Sequence, residues 1–199
     1  MTLDALGPLA LFTLIATISP GGATTLATAS GLQFGVARSI PMIFGIAVGM
    51  ATLAAAAAAG LASLVLASPI LHMLLKIAGT AYLLWLAFVI AGSGRPQQKA
   101  DLGKPVSFLG GMGLLWLNPK GWAMTMGAAA SFSSLITNPV SLASLLGLGF
   151  GVSAIFSLSL WCSTGAILAR LLKSDIQWRI LNIALGILLA ASIVPIWVL

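Results

Sequence analysis

The chain has 199 residues, 60% of them apolar, with nine Lys or Arg against three Asp or Glu and a mean hydropathy of +1.13. Soluble domains carry about 25% charged residues; the 6% found here cannot cover a water-facing surface, so a soluble fold is excluded and lipid is expected against the apolar faces. The formal charge of +6 comes without a basic cluster interleaved with aromatics, which argues against a nucleic-acid partner. The lone cysteine, Cys162, excludes an internal disulfide and a CxxC motif.

A spanning helix takes about 20 residues, and apolar runs fall at 6–28, 40–66, 70–92, 108–133, 142–168 and 179–198. The expectation is an all-α membrane protein of six transmembrane helices, a single transport domain over 1–199 with no room for a catalytic or nucleotide-binding domain. The first run lacks the basic start of a signal peptide and carries Asp4 instead, so it is expected to stay as a span. With the N-terminus outside, Arg38, then Arg95, Lys99 and Lys104, then Arg170, Lys173 and Arg179 all fall in inner loops. That positive-inside pattern predicts a multi-pass protein of the plasma membrane with both termini extracytoplasmic. The segment 93–107 would divide two halves, 1–92 and 108–199.

The first run is interrupted by Ser19-Pro20-Gly21-Gly22 and the fourth by Asn118-Pro119-Lys120-Gly121, the two prolines standing 99 residues apart. Three spans per half would reverse the second half relative to the first, the pattern of an inverted repeat. Proline removes a backbone donor and glycine admits conformations other residues resist. Each break could therefore merely kink a helix, or could open backbone groups toward a ligand. The matched placement favours a substrate or gate site built from Ser19, Pro20, Gly21, Gly22, Thr24, Asn118, Pro119, Lys120 and Gly121.

Thr17, Thr24, Thr25 and Thr28 add hydroxyls near the first break and Thr125 another near the fourth, although hydroxyls also bond back to their own helix. Lys120 is the conspicuous cation: it must snorkel, lie at the interface, face a cavity or meet an anion, and a substrate carboxylate is one candidate. No carboxylate lies within the runs, the acids being Asp4, Asp101 and Asp175. His72, the one histidine, sits near the end of the third run, where an interfacial place is the simpler reading. Gly45 and Gly49 in GIAVG, and Gly147 and Gly151 in GLGFG, have the spacing that lets helices pack closely, and either pair could serve a homodimer. Trp85, Trp116, Trp122, Trp161, Trp178 and Trp197 are better read as interfacial anchors than as ligand-stacking groups.

The ordered set of SPGG, GIAVG, LLKIAGTAYLLWLAF, GLLWLNPKGWAM and LNIALGILLAASI resembles the LysE/RhtB family of amino-acid exporters over almost the whole chain. The resemblance implies a six-spanning inner-membrane secondary transporter that exports small amino acids or related metabolites, driven by the proton motive force, without cofactors, metals or enzymatic activity. The family's usual Pro-Gly-Pro followed by Asp or Asn matches Pro20 and Gly21, but the chain continues with Gly22 and Ala23. A competing class is a noncatalytic membrane scaffold, in which the breaks only shape the helices and stability depends on a partner.

Overall fold

The computed structural model describes residues 6–61, 67–93, 104–133, 136, 138–191 and 193–194. Its elements are α1 (Leu6–Ile18), α2 (Gly22–Ala56) continued by a π-helical turn (Ala57–Leu61), α3 (Pro69–Gly92), α4 (Phe108–Trp116), α5 (Pro119–Phe132), α6 (Pro139–Leu171) and α7 (Asp175–Ala191). Asp4, Arg95, Lys99, Asp101 and Trp197 lie outside the described residues, as does the side chain of His72.

The expected six-span bundle of two inverted three-helix halves is corrected. By length and composition, two helices among the described residues are long and apolar enough to cross a membrane, Gly22–Gly60 and Pro139–Leu171. For the first and fourth runs the reason lies at the breaks. The first run stops at Ile18 and restarts at Gly22, leaving an α1 of 13 residues, and the fourth run splits into pieces of 9 and 14 residues. The tail of the first run then belongs to the same long element as the second run, so the elements do not fall into a clear three-helix repeat. The alternation that placed both termini outside rested on six spans and is not supported.

Gly35 bends α2. Its φ of 76° and ψ of 170° are open to glycine and costly for other residues, and the hydroxyls of Ser30 and Ser39 meet at 2.7 Å across it. In a straight helix, nine residues would separate those two positions by about 13 Å. The bend lets both the start of α2 and its Ile46–Met50 stretch reach one central space.

Apolar residues occupy outer faces as well as the core, and several small polar residues are buried among them. Leu148, Val152 and Phe156 of α6 and Ile176, Ile180 and Ile187 of α7 repeat at helical spacing on exposed faces. Thr13, Ser39, Thr125, Ser157 and Asn182 are fully buried. Close backbone approach occurs where side chains are absent. Gly45 backs onto the Phe108 carbonyl, Gly165 onto that of Thr28, and Gly49 would place a Cβ 2.9 Å from the Met112 carbonyl. A Cβ at Gly147 would stand 3.1 Å from the Ala51 carbonyl oxygen, and one at Gly151 3.2 Å from the Ala51 Cβ.

Candidate functional site

The site begins with the unmet acceptors at the end of α1. A helix leaves its last carbonyls without intrahelical partners, and Pro20 removes the donor that might have extended the ladder. Here side chains from three places take up every carbonyl from Ala16 to Pro20. Ser19 Oγ donates to the Ala16 carbonyl at 2.8 Å, Ser157 Oγ to Thr17 at 2.8 Å, and Trp161 Nε1 to Ile18 at 3.0 Å. Lys120 Nζ donates to the carbonyls of Ser19 and Pro20, both at 2.9 Å, and to Ser19 Oγ at 2.8 Å. Those three bonds use all three ammonium donors.

The two breaks therefore meet, and a lysine across the junction ties them. Asn118 is the N-cap of α5: its Oδ1 accepts the Lys120 backbone N–H at 3.0 Å, while Pro119 occupies the first turn, where a missing donor costs nothing. Capping sets the position of Lys120, and Lys120 sets the end of α1. Gly21 is needed beside it, because a Cβ there would come 2.9 Å from Nζ. On the other side of the break the Thr24 hydroxyl accepts from the Gly21 N–H at 2.8 Å and donates to the Gly21 carbonyl at 2.9 Å.

Between these ends lies a small cavity, with about 400 Å³ of atom-free space when the open solvent at its mouth is included. Ser19, Gly21, Gly22, Thr24, Asn118, Lys120 and Gly121 line it. Pro20 and Pro119 instead shape the adjoining chain, and Pro20 contributes its carbonyl to Lys120. Ile46, Met50, Leu115, Met124, Ala154 and Leu158 supply an apolar wall that the sequence did not single out. Thr125 and Thr28 turn their hydroxyls back onto their own helices.

Two tryptophans read as anchors have other work at the breaks. Trp161 caps α1, and Trp122 Nε1 donates at 2.8 Å to the Trp116 carbonyl at the end of α4, with the two rings edge to face at 5.9 Å. Ser157 and Trp161 were missed because their partners are main-chain carbonyls, which leave no mark in a sequence.

These features define a class: a helical chain with an apolar exterior whose interrupted helices meet at a small cavity that has an apolar wall and a few polar groups. The chain belongs to the LysE type translocator family, whose model matches residues 14–192. It is similar to the cysteine/O-acetylserine efflux proteins of Escherichia coli strain K12 and Shigella sonnei strain Ss046, each 30% identical over 200 residues, covering 99% of this chain and 100% of theirs. No solved structure matches it.

Proposed function

We propose that this chain is a secondary transporter of the bacterial inner membrane that exports a small amino acid or amino-acid-like metabolite, with the cavity between the breaks as its substrate site. The carrying observation is the junction itself: two helix beginnings and a lysine converge on one small, largely apolar cavity in a chain with an apolar exterior. Helix N-termini carry partial positive charge and favour a carboxylate. Lys120 adds a full charge, acting on that carboxylate through its field because its donors hold α1. The efflux relatives support the direction of transport and a solute of cysteine or O-acetylserine size. The proton motive force is the energy source in this reading. The chain does no covalent chemistry in it.

The test is efflux of labelled cysteine and O-acetylserine from proteoliposomes, with and without imposed pH and voltage gradients. Saturable, protein-dependent flux that responds to a gradient is expected. No flux across a broad amino-acid panel in either orientation would overturn the proposal.

A further inference from the structure

Counting donors around the cavity identifies which side chain is left to hold a ligand. The Thr17 hydroxyl donates to the Thr13 carbonyl at 2.8 Å, that of Ser19 to Ala16, and that of Thr24 to Gly21. Lys120 has all three N–H groups on the end of α1. Asn118 differs. It is only 5% exposed and lines the cavity. Its cap bond fixes the amide orientation, since Oδ1 must face the Lys120 N–H. Its Nδ2 then has no hydrogen-bond partner among the described residues. That nitrogen lies beside the head of α2, 3.6 Å from where a Gly22 Cβ would stand. There the N–H groups of Gly22, Ala23 and Thr24 precede the first helical bond, from Thr25 N to the Gly21 carbonyl at 2.9 Å.

The donors left at the wall are thus the Asn118 amide and the head of α2, and the one formal charge there is positive. Among the described residues the sole acid is Asp175, exposed at the start of α7 and outside the cavity. We infer that Asn118 reads the carboxylate of the solute through Nδ2, and that the cavity selects for solutes bearing a carboxylate and against those whose net charge is positive. This rests on the transport reading above, which already supplies a solute with a carboxylate, and adds the residue that recognises that group and the exclusion of cationic solutes. The ammonium of a zwitterion is left to hydroxyl and carbonyl oxygens or to water in the mouth, and a second cationic group finds no counter-charge.

Two cysteine derivatives separate the head groups. N-acetylcysteine keeps the carboxylate and masks the amine, whereas cysteamine keeps the amine and lacks the carboxylate. Against labelled-cysteine counterflow by the full-length reconstituted protein, N-acetylcysteine is expected to compete within about threefold of unlabelled cysteine. Cysteamine and lysine should be at least tenfold weaker. Asn118→Asp retains a good N-cap but replaces the two donors with a negative charge. It should weaken competition by N-acetylcysteine at least tenfold and narrow or invert its advantage over cysteamine, a change of preference that general structural damage would not produce. Equal competition by cysteamine and N-acetylcysteine in the wild type overturns the inference, as does an Asn118→Asp protein with unaltered preference. If Asn118→Asp fails to fold, Asn118→Ser, which also keeps a good N-cap but lacks the amide donors, is read in its place, and an unaltered preference there overturns the inference equally. Flux without head-group discrimination leaves the transport reading standing, whereas a wild-type protein neither transporting nor thermally stabilised by any of the four solutes overturns both.

Discussion

Replacing Lys120 by Met removes the three donors that close the α1 end while keeping much of the aliphatic stem. It strands the Ser19 and Pro20 carbonyls, which accept at 2.9 Å each, and one lone pair of Ser19 Oγ. A hydrogen bond to a charged group is worth about 1.5–3 kcal/mol, and an acceptor left dry costs about 1–3 kcal/mol. The Pro20 bond is exposed and the Ser19 bonds only partly buried, so water recovers a share and the expected loss is about 2–4 kcal/mol. For a chain of this size about 1 kcal/mol corresponds to about 2–4 °C, so the melting temperature of the detergent-solubilised protein should fall by about 5–15 °C. Lys120→Arg, which can still donate to both carbonyls, should recover more than half of that. Tryptophan fluorescence is a suitable probe because Trp161 and Trp122 sit at the two breaks. A Lys120→Met protein melting within about 1 °C of wild type would refute the clamp, and with it the claim that Lys120 is held by α1.

Gly21→Ala places a Cβ within 2.9 Å of Lys120 Nζ and should displace the ammonium. Its destabilisation should be smaller than that of Lys120→Met and nearly vanish when combined with it, which a double-mutant cycle of melting temperatures measures. Trp161→Phe removes the donor to the Ile18 carbonyl while keeping an aromatic ring, and should cost about 1–2 kcal/mol by denaturant or thermal unfolding. Gly35→Ala forces a side chain into φ 76°, ψ 170°, so about 1–3 kcal/mol of destabilisation is expected. Undiminished stability there would mean that the bend relaxes without loss.

The legible part of this protein was its punctuation. Pro20, Gly21, Asn118 and Pro119 mark where helices end, and their half-chain spacing anticipated two breaks of equal importance. Hydropathy could not show that those same residues cut the apolar runs into pieces too short to pass as spans. An apolar average persists across a break, because Leu, Ala and Gly occupy both sides of it. Lys120 was recognisable as a cation that must snorkel, lie at the interface, face a cavity or meet an anion; what it meets is two main-chain carbonyls and the Ser19 hydroxyl. Main-chain acceptors exist at every position and so leave no compositional trace. Met50 lies beyond the bend at Gly35, one glycine among 22, and lines the cavity together with the start of the same helix.

The capped end of α1 also bears on how the chain is made. Ser19 leaves the ribosome 101 residues before Lys120, and Ile18 emerges 143 residues before Trp161. At about 5–20 residues per second, Lys120 follows roughly 5–20 seconds later and Trp161 later still. During that interval the carbonyls from Thr17 to Pro20 need water or a borrowed donor. The end of α1 is therefore sealed by residues of α5 and α6 that are made long after it.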